Sequence, residues 1–163
     1  MIIKLKNKEN LVVNDFIFKC SIGKKGLNNR KVEGDKSTPS GIFKLGKLYY
    51  RPDRVKKPVT ALKCIKINKK MGWCNQPDSK YYNKQISINK NIKTEKLYRK
   101  DYKYNFFINI KYNSKKIKPF KGSAIFIHLT NNYKPTAGCI ALKKKDFLIF
   151  AKLLTKKSRI LIS

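Results

Sequence analysis

The stretch Ser123-Ala-Ile-Phe-Ile-His128-Leu-Thr130, followed by Pro135-Thr-Ala-Gly-Cys139-Ile-Ala-Leu142, reads as two apolar β-type runs joined by a short polar loop. His128 closes the first run and is the only histidine of the chain; Cys139 opens the second run eleven positions later. If the two runs are neighbouring strands, the connection brings an imidazole and a thiol together.

That pairing has chemical meaning. A free cysteine, with a pKa of about 8.5, is only a few per cent thiolate at neutral pH, and the thiolate is the attacking species. A nearby imidazole takes the proton, and the chain offers no second histidine for the task. Gly138 removes a side chain just before the sulfur, so substrate gains close approach and the backbone N–H groups of Gly138 and Cys139 are free to turn toward a developing oxyanion. The bland alternative is a hydrogen-bonded, half-buried histidine and a cysteine that serves as a small core residue.

Around this stretch the chain alternates like a β protein. Ile2 to Leu5, Leu11 to Val13, Phe16 to Ile22, Ile42 to Tyr50, Ala61 to Ile67, Phe106 to Tyr112, Ala124 to Leu129 and Arg159 to Ile162 are strand-like. In Phe106 to Tyr112 one face carries Phe106, Ile108, Ile110 and Tyr112. The Gly-, Thr- and Pro-containing segment from Gly23 to Gly41 marks turns, and Met71 to Asn83 reads as an ordered aromatic loop. One helix is expected, from about Lys144 to Leu154, with Phe147, Phe150, Ala151 and Leu154 on one face. Lys143 to Lys145 crowd its start without a capping side chain, which opposes the helix dipole. These elements predict a mostly β fold with a sandwich or barrel-like core and one helix in the C-terminal region.

At 163 residues the chain is read as one domain, 1–163, without repeats, low-complexity tracts or an apolar span long enough to cross a membrane. Its formal charge is +31, yet only five of its 40 basic residues are arginine, and the lysines are scattered. The joint richness in Lys, Asn and Ile is what codons drawn from A and T impose. Such a field attracts polyanions in general, but no arginine fork, recognition helix or zinc spacing points to specific nucleic-acid binding. Cys20, Cys64, Cys74 and Cys139 are not at metal-ligand spacing, so no metal is expected. Cys20 and Cys64 are expected to pack and Cys74 to be more exposed. The N-terminus shows no secretory signal, and oligomeric state is not legible.

Five ordered blocks carry a resemblance: Glu33-Gly-Asp35…Thr38-Pro39…Gly41-Ile-Phe43; Tyr49-Tyr-Arg-Pro-Asp-Arg54; Gly72-Trp-Cys74…Tyr82-Asn83; Gly122-Ser-Ala-Ile-Phe-Ile-His128; and Pro135-Thr-Ala-Gly-Cys-Ile-Ala-Leu142. Together they resemble the L,D-transpeptidase catalytic domain, the YkuD-like family, over nearly the whole chain. The better-known branch has Ser-His-Gly-Cys with an Asn or Arg two positions after the cysteine. Here Ala137 and Ala141 stand at those places, as in the shorter branch with Thr-Ala-Gly-Cys.

The resemblance implies Cys139 as nucleophile and His128 as base, a thioester intermediate, and backbone N–H groups around Ala137, Gly138 and Cys139 at the oxyanion. A backbone carbonyl at Leu129 or a neighbour would fix the imidazole tautomer. Its implied substrates are peptidoglycan stem peptides, from which D-alanine leaves before an acceptor amine completes the cross-link; no cofactor is implied. A carboxypeptidase-type hydrolase with the same dyad and a non-catalytic basic polyanion-binding module are the alternatives. The resemblance also implies a place in the cell envelope or periplasm. Thr136, Tyr133 and Trp73 are candidates to touch substrate, Asp35, Thr38 and Gly41 are expected to be structural, and Arg51 and Arg54 are candidates for carboxylate contacts against a default of solvated arginines.

Overall fold

The computed structural model describes residues 1–163. Its first strands, β1 (Ile2–Lys6), β2 (Asn10–Val13) and β3 (Phe16–Ser21), form a meander whose alternation buries Ile3, Leu5, Leu11, Val13, Phe18 and Cys20. Asn14 adopts a φ of 48° in the two-residue turn between β2 and β3, a conformation that asparagine tolerates better than most side chains. Two short strands, β4 (Leu27–Asn28) and β5 (Thr38–Pro39), then pair in parallel, and β6 (Gly41–Tyr50) is the longest strand.

After β6 come β7 (Cys64–Lys66), β8 (Met71–Cys74), β9 (Gln85–Ser87), β10 (Thr94–Lys96), β11 (Phe106–Ile110), β12 (Phe126–Leu129) and β13 (Ile140–Leu142). The helix α1 (Lys144–Leu153) and β14 (Arg159–Ile162) complete the chain. The main sheet runs β11-β12-β13-β3-β2-β1-β14-β6-β7, and β11 also pairs with β6. That extra pairing closes eight strands into a ring, a barrel-like core that leaves β7 on the outside of β6. The barrel interior holds Ile3, Phe18, Leu48, Phe106, Ile127 and Ile160.

The helix follows the expected span. It starts at Lys143 without a side-chain cap and presents Phe147, Phe150 and Ala151 to the barrel interior, where Phe150 meets Phe18 edge-on and Phe147 stacks with Phe106. No helix is long and apolar enough to cross a membrane. A second apolar layer forms outside the barrel: Tyr49, Phe107 and Phe126 from β6, β11 and β12 pack against Met71 and Trp73 of the small sheet β10-β8-β9. Strand β11 is therefore buried on both faces; a bulge between Ile108 and Ile110 shifts its register with β6, and the strand ends at Ile110, before Tyr112.

Three expectations need correction. Met71 to Cys74 is the central strand of the small sheet rather than loop, because two polar strands, β9 and β10, supply partners that its own four residues do not announce. Cys74 is fully buried rather than exposed, while Cys64 on the edge strand β7 is half-buried and packs against the main core as expected. Arg51 is only 2% exposed: it holds Asp53 through Nε and Nη2, stacks over Tyr98, and donates to the carbonyl of Arg99 at 2.6 Å. Arg54 donates to the carbonyls of Lys100 and Asp101, so both arginines pin the segment before β11 instead of waiting for a ligand.

Phe150→Ala should cost about 3–5 kcal/mol, because it opens a cavity where helix and barrel meet. Urea unfolding measures this; a loss below about 1 kcal/mol would show that the helix is not part of the main core.

Candidate active site

Strands β12 and β13 pair in parallel with Ile127 opposite Ile140 and His128 opposite Ala141. Side chains two apart share a face of a strand, so Cys139, two residues before Ala141, lies on the face of His128 and Phe126. That face looks outward from the barrel, and His128 and Cys139 both line one cleft of about 490 Å³. The structure thus brings the two predicted residues to one wall. His128 is 7% exposed and Cys139 9%.

The turn before Cys139 is held from several sides. Gly138 has a φ of +138°, and a Cβ there would stand 2.7 Å from the carbonyl oxygen of Ser37, so the position requires glycine on both counts. Thr38 Oγ1 donates to the carbonyl of Gly138 at 2.9 Å and accepts from the N–H of Gly23 at 2.8 Å. Thr136 Oγ1 accepts from the N–H of Gly138 at 3.0 Å and donates to the carbonyl of Cys139 at 2.5 Å. Thr136 lines the cleft, but its hydroxyl is committed to the turn. The N–H of Gly138 is likewise taken, while the N–H groups of Ala137 and Cys139 have no acceptor within the protein. The free N–H donors of this turn are therefore those of Ala137 and Cys139.

The sulfur sits against backbone: the Cys139 thiol donates to the carbonyl of Ala124 at 3.3 Å, and the N–H of Phe126 donates to Sγ at 3.4 Å. Ala124 is held in turn, since Asn83 Oδ1 accepts from its N–H at 3.1 Å and from Trp73 Nε1 at 2.9 Å. Trp73 reaches the site only through this chain of bonds; its ring packs edge-on against Phe126 and Tyr49 in the second apolar layer and does not line the cleft. Tyr133 also stays out of the cleft and lies under the ammonium groups of Lys19 and Lys143.

His128 Nδ1 is 2.9 Å from the carbonyl oxygen of Leu129. A carbonyl only accepts, so Nδ1 carries the proton and Nε2 is left as the acceptor in the neutral ring. Tyr104 meets the imidazole edge-on at 5.6 Å between centroids, and its hydroxyl donates to Glu95 Oε1. Glu95 and Tyr104 line the cleft, and neither was singled out by sequence. Their signal, a carboxyl on a short polar strand and a tyrosine before β11, is indistinguishable in sequence from a surface pair.

Burial dominates the electrostatics of the dyad. Desolvation pushes the Cys139 thiol up to about 12, the Glu95 charge adds to the rise, and the Phe126 N–H opposes it. Desolvation lowers His128 to about 4, against the bond to Leu129. Desolvation also raises Glu95, while Tyr104 and Arg99 work the other way. The resting pair is a neutral thiol beside a neutral imidazole rather than an ion pair. Around it the cleft carries the cations of Lys31, Arg99, Lys103 and Lys134 and the carboxyls of Glu33 and Glu95.

The motif blocks of the sequence meet behind this wall. Glu33 accepts from Tyr82 and Ser123, the second at 2.8 Å, and Gly122 N–H donates to Tyr82 Oη at 3.0 Å. Asp35 accepts from Lys31 Nζ at 2.6 Å, from the Ser37 hydroxyl at 2.7 Å and from the N–H groups of Val32 and Ser37. Lys31, 4% exposed, also donates to the carbonyl of Ser37, the oxygen that excludes a side chain at Gly138.

Comparison with known proteins identifies the family and the fold. The family model of the L,D-transpeptidase catalytic domain, YkuD, matches residues 3–162, and the chain belongs to that family. Among solved structures it is similar to the helical cell shape determining protein Pgp2 from Campylobacter jejuni, at 19% identity and a TM-score of 0.53. A point mutant of the same protein gives 19% and 0.52. Each match covers 99% of this chain and 46% of the other, so the chain spans less than half the length of these structures. At such identity the likeness is one of fold. No curated protein matches the chain.

Two measurements check the site. Iodoacetamide alkylation of Cys139 should quicken with pH to beyond about pH 9 without levelling near neutrality, and Glu95→Gln should speed it severalfold by removing a charge that opposes the thiolate. A plateau near neutrality would mean a preformed ion pair. The second is acid stability. An unfolded histidine takes its proton near 6.5 and this folded one only near 4, so the unfolded state binds more protons in that window and stability falls as pH falls through it. The full effect is about 3 kcal/mol, and His128→Gln should flatten that part of a urea-midpoint profile.

Proposed function

We propose that the chain is a cysteine-dependent acyltransferase of the L,D-transpeptidase type, acting on peptidoglycan stem peptides in the cell envelope. One observation carries the reading: Cys139 and His128 share the face of two parallel strands and open on one cleft, with the imidazole proton held on Nδ1 by the carbonyl of Leu129.

Because both groups rest neutral, the thiol is activated as substrate arrives. Cys139 Sγ attacks the carbonyl that links the third-position diamino acid to the terminal D-alanine while His128 Nε2 takes the thiol proton. The N–H groups of Ala137 and Cys139 hold the oxygen as it gains charge. The imidazolium returns the proton to the departing D-alanine nitrogen, leaving a thioester on Cys139. An amine from a second stem peptide then attacks the thioester, losing its proton to His128; the C–S bond breaks, the sulfur takes that proton back as the Cys139 thiol, and a cross-link replaces the peptide bond that was cut. Water in place of the amine makes the same site a carboxypeptidase. Lys103 and Lys134, the cleft cations outside ion pairs, give the cleft a field suited to a carboxylate-bearing donor, and Glu33 and Glu95 one suited to an incoming ammonium.

The test is D-alanine release from a purified tetrapeptide stem, with and without an acceptor amine. Wild type should release D-alanine, Cys139→Ala should reduce the rate by at least about a thousandfold, and Gly138→Ala should do so by at least about tenfold. A cross-linked product marks transfer and a free tripeptide marks hydrolysis. Undiminished release by Cys139→Ala contradicts the proposal.

A further inference from the structure

The barrel wall away from the cleft carries a largely aliphatic row with Lys4 at its centre. Register sets Ile17 of β3, Val12 of β2, Lys4 of β1, Leu161 of β14 and Ile42 of β6 side by side across five strands. Strand alternation turns all five outward, and Ile17 and Ile42 are 69% and 59% exposed. Of the ten large hydrophobic side chains the chain exposes, Ile2, Ile17 and Ile42 face outward on this wall, whereas Phe16 alternates to the inner side and stacks on Phe18. Three exposed isoleucines and the half-buried Val12 and Leu161 thus gather in one place, on a protein whose surface is otherwise dominated by lysine.

Cations flank the row. Arg159 and Lys44 lie beside it with Ile2 on one side, and Lys6 and Lys19 with Asn10 on the other. None of these cations, nor Lys4, takes part in an ion pair. The five strands contain no Asp or Glu; Glu9 and Asp15 lie in the hairpin turns. At the β6 edge the wall runs into a shallow pocket of about 300 Å³ where Lys44, Lys111, Lys115 and Arg159 surround Ile42 and Phe43.

We infer that this wall docks on the surface of an anionic lipid bilayer, with the aliphatic row entering the interfacial layer and the flanking cations meeting lipid phosphates. Three features favour a bilayer over a protein partner. The apolar anchors are branched aliphatics, whereas protein interfaces concentrate their energy in Trp, Tyr and Arg. The cations are mainly lysines outside ion pairs, with Lys19 alone lying over an aromatic ring, that of Tyr133, and lysines suit mobile phosphates better than fixed bidentate partners. The cationic pocket adjoins exposed Ile42, which matches a molecule that joins a phosphate to a hydrocarbon tail. Strand order also gives the docking a direction: β1, at the middle of the row, lies across the ring from β12 and β13, so a docked barrel turns its cleft away from the lipid.

This inference does not rest on the acyl-transfer reading, and Cys139→Ala should bind lipid like wild type. The experiment is co-sedimentation of the full chain, at physiological ionic strength, with vesicles of phosphatidylcholine alone or mixed equally with phosphatidylglycerol. Binding should be at least about tenfold tighter to the mixed vesicles. The uncharged change Ile17→Ser with Ile42→Ser should lower it about tenfold, with the thermal midpoint showing that the fold is kept. Removing Lys4, Lys44 and Arg159 should weaken binding more than removing Lys80, Lys90 and Lys116 elsewhere on the surface. Three results overturn the inference: indifference to the isoleucine changes, equal loss from either lysine set, or concentration-dependent self-association through the wall without lipid binding.

Discussion

The parallel pairing of β12 with β13 is the constraint on which the site depends, because its register alone decides where the imidazole and the sulfur point. With His128 opposite Ala141, Cys139 falls on the same face one pleat earlier. A one-residue slip would turn one of the two into the barrel interior, among Ile127, Leu129 and Ile140. The register is held because both neighbouring faces are buried: Ile127, Ile140 and Leu142 fill the barrel, and Phe126 fills the layer outside it. Thr38 and Thr136 then hold the last two residues before the strand, with Thr38 reaching Gly138 from a hundred residues away.

The same burial that orders the site silences it at rest. A thiol and an imidazole removed from water both keep their neutral forms, so on the proposed reading reactivity waits for a substrate carbonyl to be placed between sulfur and oxyanion donors. Glu95 strengthens this reserve, since its carboxyl lies close enough to oppose a thiolate while it braces Tyr104 against the His128 ring. The L,D-transpeptidase fold of this chain therefore carries its electrostatic control on β10 and on the segment before β11, which Arg51 and Arg54 tie down.

Much of this was legible from sequence where local pattern and burial coincide. The meander β1 to β3, the long β6, the closing β14 and the helix all show a period that matches the face they bury. That His128 and Cys139 line one cleft was legible because a short loop joins two apolar runs. What stayed hidden depends on distant partners. Met71 to Cys74 became a strand only because β9 and β10 flank it, and Arg51 became a core residue only because Asp53 and Tyr98 neutralise and cover it. Glu95 and Tyr104 are ordinary residues until the fold sets them in the cleft, and Trp73 looked like a cleft residue because its neighbours in sequence are loop-like.

Intact-protein mass spectrometry after incubation with a purified tetrapeptide stem, followed by peptide mapping, bears most directly on the chemistry assigned to the dyad. A single acyl adduct is expected on the peptide containing Cys139, joined as a thioester and released by hydroxylamine. An adduct on Cys20, Cys64 or Cys74, or D-alanine release with no acylated protein under rapid quenching, would contradict it.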